Sequence, residues 1–285
     1  MSLAYCITAH TKPNQLRRMI EAIYHENNYY VLHIDANAST ELLLFASRLA
    51  EANENIFMLT SASCAWGGWS LVEVELQAIS LLAELSGWSH YINLSGQDFP
   101  LASQRLIGAY LQDHPKKIFM NYRSIEDEEV MDLKYRFIFE ERKGEVIATG
   151  ERTERFHQLF PNKQLFTGSQ WKVLTRESAL YAAISENTNN LKSFFKQSFV
   201  PDEHFFQTVL LNSIYSRYVV NENLRFIDMT VYHSNEMVPL NAASPRVLTT
   251  GDAISMMSSS ALFARKFDVE QDAVIIDLLE QAIKE

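Results

Sequence analysis

Two neighbouring carboxylates mark the most informative segment of the chain, the run FVPDEHFF from Phe199 to Phe206. Pro201 suits the first turn of a helix. Asp202 and Glu203 follow it near the predicted N-terminus, where the helix dipole favours negative charge. A well-capped helix explains this pattern without any catalytic role. If Glu203 faces a cleft, however, its carboxylate can serve as a general base that takes the proton of a hydroxyl group.

Three cations follow near the C-terminus of a strongly acidic chain, whose formal net charge is −10. Arg246 lies in SPRVLTTGD, and Arg265 and Lys266 lie in LFARKFD. A solvated or paired surface position explains each cation taken singly, but two of them converging on one pocket can neutralise a diphosphate. The chain contains no Asp-x-Asp pair, the usual means of holding a metal on a nucleotide-sugar diphosphate. Cationic side chains can take that metal's place.

A loop rich in glycine and tryptophan is the third candidate. The run AWGGWSLVEVELQA places Gly67 and Gly68 between Trp66 and Trp69, ahead of a helical pattern. Glycine lets a ligand approach the backbone closely, and a helix start offers free N–H groups to oxygen atoms. A tight turn with aromatic packing explains the same residues equally well. The sequence contains neither GxGxxG nor GxxxxGK[ST], so no phosphate-loop fingerprint is present.

Composition excludes several classes of function. The excess of acidic residues argues against a general nucleic-acid binder, because phosphate contacts need surplus Lys and Arg. No apolar stretch approaches the twenty or so residues of a membrane-spanning helix, so we expect no integral membrane segment. Cys6 and Cys64 have neither a zinc-site spacing nor the number of partners that a disulfide framework needs. We expect both thiols to be reduced.

The first 120 or so residues alternate predicted strands with predicted helices. The strands are short apolar runs followed by turn residues: Ala4 to Ala9, Tyr30 to Ile34, Ile56 to Leu59 and Tyr91 to Leu94. The helices show apolar residues three and four positions apart: Asn14 to Tyr24, Thr40 to Ala52 and Leu71 to Leu85. This alternation predicts an α/β fold with a mostly parallel central sheet and helices on both faces. Ligands of such sheets gather at the carboxyl ends of the strands.

We expect one domain over residues 1–285, with a nucleotide-binding half at 1–124 and an acceptor and catalytic half at 165–285. Between them, residues 125–164 are dense in charge and weakly periodic, which is typical of an inserted hairpin or mobile loop region. After it, LFTGSQWKVLT is interpreted as a strand pair. Helices are predicted from Glu177, Asp202 and Val269, with a strand near Leu224 to Ile227.

Taken in order, these segments resemble the core-2/I-branching β-1,6-N-acetylglucosaminyltransferase family, which includes the peptide O-xylosyltransferases. The matching runs cover most of the chain, and the charge-dense segment matches poorly. SGQDFPL, GSQWKVL and PDEHFF are the specific runs. The others are AYCITAHTKP, VLHIDANA, WGGWSLVEVELQA, SPRVLTTGD and LFARKFD.

The resemblance implies a nucleotide-diphospho-sugar transferase fold of the GT-A type, with a Rossmann-like half that binds the nucleotide. It implies inversion at the anomeric carbon without a metal or other cofactor, with Glu203 as catalytic base and with Arg246 and Lys266 on the diphosphate of a UDP-sugar. The resemblance also implies that the nucleotide is bound by His10, Asp35, Trp66, Gly67 and Gly68. The pocket for the donor and acceptor sugars is expected to contain Asp98, Ser169, Trp171 and Asp202.

Departures from the family pattern shape the expected substrates. The stretch from Arg225 to Asn235 lacks the aromatic pair that mucin-type members use, so we expect another glycan acceptor, an oligosaccharide or a glycolipid. The donor is expected to carry GlcNAc or xylose. The membrane anchor and the lumenal disulfides of animal members are not visible in this sequence. We therefore expect a bacterial cytoplasmic relative. Peripheral association with the inner face of the membrane is left open. Lys134 and Arg136 are weaker candidates for the acceptor side.

Three other functions stay open on the sequence. A non-catalytic protein that binds nucleotide sugars or glycans would keep the fold without turnover, and retention of Glu203, Arg246 and Lys266 together speaks against it. A metal-dependent retaining transferase is disfavoured by the missing Asp-x-Asp. A glycoside hydrolase needs two opposed carboxyl groups, whereas Asp202 and Glu203 are adjacent in the chain.

Overall fold

The computed structural model of the protein describes residues 2–126, 135–229 and 244–284. Its strands are β1 (Ser2–Ala9), β2 (Tyr29–Ile34), β3 (Ile56–Met58), β4 (Trp88–Ser95), β5 (Asp98–Pro100), β6 (Ile118–Ser124), β7 (Phe137–Arg142), β8 (Glu145–Glu151), β9 (Phe166–Thr175), β10 (Val219–Val220), β11 (Arg225–Ile227) and β12 (Phe263–Arg265). A seven-stranded sheet has the order β10-β6-β9-β4-β1-β2-β3. Its neighbouring strands are parallel except where β9 pairs with β4 and β6. The predicted mostly parallel sheet is confirmed.

Helices connect most of these strands. They are α1 (Pro13–Ile23), α2 (Thr40–Ala52), α3 (Ser70–Ala83), α4 (Gln104–Asp113), α5 (Phe156–Leu159), α6 (Arg176–Ile184), α7 (Asn189–Phe195), α8 (Phe205–Leu211), α9 (Ala253–Met257) and α10 (Val274–Ala282). Ser39 and Ser103 are the N-cap residues of α2 and α4. Each hydroxyl group accepts a hydrogen bond from a backbone N–H of the first turn.

The two faces of the sheet are buried in separate apolar clusters. Along β1, Leu3 and Tyr5 belong to one cluster and Ala4 and Cys6 to the other, as the alternation of a strand requires. Side chains of α1, α2, α4 and α10 pack in the first cluster, and those of α3, α6, α7 and α8 pack in the second. Helices therefore cover both faces, as predicted, and the polar strand ends are left to line a site.

Two smaller sheets complete the fold. Strands β11, β12 and β5 form one of them, and Arg225 on β11 donates to the carbonyl of Asn93 on the central strand β4. The other is the antiparallel hairpin of β7 and β8, in residues 137–151 of the charge-dense segment. A hairpin was one of the two structures expected there. Lys134, a candidate for the acceptor side, lies outside the described residues, as do residues 230–235 of the stretch that departs from the family pattern.

The strand pair predicted for LFTGSQWKVLT was wrong, because the run forms the single strand β9. In the structure Gly168 stays in the strand, where a Cβ would collide with the backbone carbonyl of Asn121 on β6. The pairing of β6 with β9 shifts register at this point, so the glycine marks a close approach of two backbones.

Two helix starts also differ from the prediction. The helix predicted from Asp202 is a 3₁₀ turn, Pro201–Glu203, and α8 begins only at Phe205. The C-terminal helix begins at Val274 and not at Val269, because the Asp272 carboxylate accepts N–H groups of the first helical turn.

Across the described residues, none of the helices has both the length and the apolar character needed to cross a membrane.

Candidate active site

A large cleft of about 1410 Å³ lies at the carboxyl ends of the central strands. Loops that follow β1, β2 and β4 supply much of its wall, as expected for a parallel sheet. The opposite wall comes from β9 and the 3₁₀ turn. Of the residues assigned from the sequence, the cleft brings together His10, Asp35, Trp66, Ser169, Trp171, Asp202 and Glu203.

Glu203 is presented to the cleft by the 3₁₀ turn Pro201–Glu203. The preceding Val200 adopts a left-handed backbone conformation, with φ 53° and ψ 49°, and its N–H donates to the carbonyl of Gly67. Such a conformation is disfavoured for a β-branched residue, so the surrounding packing must hold it. The strain lies directly beside the two carboxylates, at the place where the chain turns into the cleft.

Glu203 also borders a second cavity of about 460 Å³. The two cavities share Asn121, Gly168, Ser169 and Glu203, and the second one extends over Tyr122, Arg123, Thr167 and Asn221. Glu203 thus lies on the boundary between a large cleft and a smaller polar groove. A base in that position can serve a reaction between two substrates that approach from opposite sides.

Asp35 provides an ionised acceptor at the end of β2. Its carboxylate accepts the N–H of Cys64 at 2.8 Å and both the backbone and side-chain N–H groups of Asn37 at 2.8 and 3.0 Å. Burial acts to raise the pKa of Asp35, but these hydrogen bonds outweigh it and hold the pKa below its ordinary value. An ionised carboxylate held this way can accept a hydrogen bond from an imide or hydroxyl group of a ligand.

Trp66 offers a large aromatic surface at the same end of the cleft. Its side chain is 64% exposed, and its only ring contact among the described residues is edge-on to Phe199 at 5.6 Å between centroids. An exposed indole on a cleft wall is suited to stacking against a planar or sugar ring.

The glycines beside Trp66 make room for the chain itself. A Cβ on Gly67 would lie 2.8 Å from the Phe199 ring, and one on Gly68 would overlap the Glu141 side chain. Glu141 belongs to the hairpin, and its carboxylate accepts the N–H of Ser70 at 2.6 Å, at the start of α3. The free N–H groups expected for a ligand are therefore partly used by Glu141. Neither glycine is among the described residues that line the cleft.

Of the three cations singled out near the C-terminus, Arg265 lines the cleft. Its guanidinium donates to Asp98 at 2.7 Å and to Ser95 at 3.1 Å, and it stacks on Trp171 at 4.0 Å from the ring centroid. Arg225 also lines the cleft, and burial lowers its pKa to about 10. Burial raises the pKa of the Asp98 carboxyl group, and the charges of both guanidinium groups act to lower it. Arg265 and Arg225 thus bring positive charge to a wall of the cleft that Glu222 also lines.

Arg246 and Lys266, the cations assigned to the diphosphate, lie beside this wall. Among its contacts with the described residues, Arg246 donates hydrogen bonds to the carboxylates of Asp228 and Asp252 and to the carbonyl of Val247. The Lys266 amine donates to Ser244 at 2.7 Å. Among the residues that the structure describes, Ser244 and Pro245 line the cleft whereas the two cations do not. Their assignment stays a prediction, and Arg265 is the cation that sequence reasoning grouped with them but left without a role.

The hairpin of β7 and β8 closes one side of the cleft. Phe139 stacks on Phe199 at 5.2 Å and donates its N–H to the carbonyl of Gln197, and Gly144 at the hairpin turn lines the cleft. The segment that matched the family poorly is thus part of the site. Arg136, at its start, pairs with Glu151 on the hairpin.

The structure combines an α/β sheet with a large cleft at the ends of its strands. A glutamate and guanidinium groups line that cleft, an arrangement suited to a group-transfer enzyme. The family described as Core-2/I-Branching enzyme matches residues 3–255 of the chain. The chain belongs to this family.

Named relatives agree with that assignment. A beta-1,3-galactosyl-O-glycosyl-glycoprotein beta-1,6-N-acetylglucosaminyltransferase from Bos taurus is 26% identical, over 99% of this chain and 69% of its own length. Xylosyltransferase 2 from Homo sapiens is 26% identical over 98% of this chain, and a xylosyltransferase from Ciona intestinalis is 28% identical over 98%. The chain spans 33% and 34% of the length of these two xylosyltransferases. All three relatives are glycosyltransferases by name.

Proposed function

We propose that this protein is an inverting, metal-independent glycosyltransferase that moves GlcNAc or xylose from a UDP-sugar to a hydroxyl group of a glycan acceptor. Membership of the Core-2/I-Branching enzyme family and the names of the relatives support the transfer of a sugar. The observation that carries the proposal further is the position of Glu203, on the boundary between a cleft that suits a nucleotide sugar and a groove that suits an acceptor.

The donor is proposed to lie in the cleft with its nucleotide at the ends of β1 and β2. There the ionised Asp35 can accept an N–H or O–H of the uridine, and Trp66 can stack on a ring. His10 lines the same region. Gly67 and Gly68 act indirectly, because they let Phe199 and Glu141 pack closely under the loop that presents Trp66.

The diphosphate is proposed to face the cationic wall. Arg265 is already in the cleft, paired with Asp98 and stacked on Trp171. Arg246 can join it by exchanging a carboxylate partner for a phosphate oxygen, and Lys266 by leaving Ser244. Charge-assisted hydrogen bonds from these groups would stabilise the negative charge that develops on the leaving diphosphate, the task that a metal performs in other transferases.

The chemical step is a single displacement. The acceptor oxygen forms a bond to the anomeric carbon as the bond from that carbon to the diphosphate oxygen breaks, and the bonding electron pair leaves with UDP. Glu203 takes the proton of the acceptor hydroxyl in the same step. Because attack comes from the face opposite the leaving group, an α-linked donor gives a β-linked product.

The acceptor is proposed to enter through the groove beyond Glu203. Asn121 and Asn221 offer amide groups there, and Tyr122 offers an aromatic ring, which are the contacts that saccharide hydroxyls and ring faces use. An oligosaccharide or the glycan of a glycolipid fits this chemistry.

Isothermal titration with UDP, UDP-GlcNAc and UDP-xylose in buffer containing EDTA tests the proposal. We expect at least one UDP-sugar to bind, with an affinity that added Mg²⁺ or Mn²⁺ leaves unchanged, because the chain supplies the positive charge. Binding that requires a divalent cation would overturn metal independence. Binding of a UDP-sugar without release of UDP over a long incubation with a range of saccharide acceptors would instead indicate a non-catalytic nucleotide-sugar-binding protein.

A further inference from the structure

A second carboxyl group, that of Asp202, lies in the cleft beside Glu203. It is 6% exposed, and its Oδ1 atom is buried without a hydrogen-bond partner among the described residues. Asp202 nevertheless lines the cleft. Buried polar groups are nearly always satisfied, and the carboxyl group of a residue that lines a cleft can be satisfied by a ligand bound there.

The charged groups around Asp202 do not add up to a positive charge that would stabilise its carboxylate. Glu203 is its neighbour in the 3₁₀ turn, Lys172 faces it from β9, and Glu75 faces it from α3. Lys172 is fully buried and bonds Glu75 at 2.8 Å, so these two charges cancel. Burial, followed by the negative charge of Glu203, raises the pKa of Asp202 to about 7. Below that pH the carboxyl group is neutral and carries an O–H donor.

The two carboxylates differ in the spaces that they reach. Glu203 borders both the cleft and the acceptor groove, whereas Asp202 borders the cleft. On the proposed function, the cleft holds the donor. A carboxyl group confined to that side would contact the donor sugar and leave the acceptor to Glu203.

We propose that Asp202 donates a hydrogen bond, as a neutral carboxylic acid, to a hydroxyl group of the donor sugar. This inference rests on the proposed function and adds a determinant of sugar binding to it. A protonated Asp202 also serves the chemistry, because it places no second negative charge beside Glu203 and the diphosphate.

Titration of UDP and of the UDP-sugars into wild type, Asp202→Asn and Asp202→Ala tests the inference. We expect Asp202→Ala to weaken UDP-sugar binding roughly three- to tenfold, the effect of one hydrogen bond, and to leave UDP binding unchanged. We expect Asp202→Asn to keep most of the affinity, since an amide N–H replaces the acid O–H in the same position.

The pH dependence separates this role from a structural one. Between about pH 6 and about pH 8, the wild-type affinity for UDP-sugar should fall as Asp202 ionises and loses its donor, whereas the affinity of Asp202→Asn for the same UDP-sugar should stay constant. An equal fall in Asp202→Asn, or an equal loss of UDP and UDP-sugar binding in Asp202→Ala, would overturn the inference and leave the proposed function intact. Absence of UDP-sugar binding to the wild type would overturn the proposed function itself.

Discussion

Glu203→Gln should lose roughly 10²- to 10⁴-fold in turnover, the usual cost of removing a general base. The glutamine keeps the shape of the side chain and takes away the group that accepts the proton of the attacking hydroxyl. Release of UDP from UDP-GlcNAc and from UDP-xylose, with water as the acceptor, measures the effect before the natural acceptor is known. Binding of the UDP-sugar should persist, because the loss falls on the chemical step.

A matched control is Glu54→Gln, which removes an exposed glutamate before β3 and should leave turnover unchanged. Melting curves of both variants establish that the fold is intact. If Glu203→Gln kept most of its activity with an unchanged melting temperature, another group would have to be the base, and the assignment of Glu203 would be abandoned.

Lys172→Met should have the largest effect on stability, a loss of about 3 to 5 kcal/mol in the free energy of unfolding. Lys172 is fully buried, and its amine bonds Glu75 at 2.8 Å and the carbonyl of Gln170 at 2.7 Å and lies over the Phe206 ring. Methionine fills similar space but leaves the buried Glu75 side chain without its cationic partner. Urea unfolding measures the change.

The double variant Lys172→Met with Glu75→Leu is the test of that explanation. Removal of both charges should recover much of the lost stability, since a buried ion pair contributes little over an apolar pair of similar volume. A double variant as unstable as the sum of the single variants would contradict it. Tyr91 donates to Glu75 and would lose this partner, so recovery is expected to be incomplete.

The sheet and its covering helices could be predicted because their signals are local. The continuous apolar run of β1 indicates a strand buried on both faces, and the spacing of apolar residues in α1 indicates a helix buried on one face. The structure confirms both. Gly168 shows where local reasoning fails. A glycine that a neighbouring strand requires and a glycine that a turn requires look the same in a sequence, and the carbonyl of Asn121 decides between them.

The site was predictable in its loops and less so in its charges. Asp35 directly follows a strand, so its place at the carboxyl end of the sheet could be inferred from the sequence. The role expected for Glu203 came instead from the resemblance to the family. The choice among Arg246, Arg265 and Lys266 depends on partners far away in the chain. Asp98 is 167 residues from Arg265, and no spacing rule connects them. The hairpin that carries Glu141 to the start of α3 is equally non-local.

The configuration of the sugar that the enzyme releases tests the central claim most directly. Proton NMR can follow the hydrolysis of an α-linked UDP-sugar in buffer containing EDTA and identify the first anomer formed, before it equilibrates in solution. Direct attack by a water molecule activated by Glu203 predicts the β anomer, with no divalent cation required. Release of the α anomer first, or release only after a divalent cation is added, would contradict an inverting displacement supported by the cations of the chain.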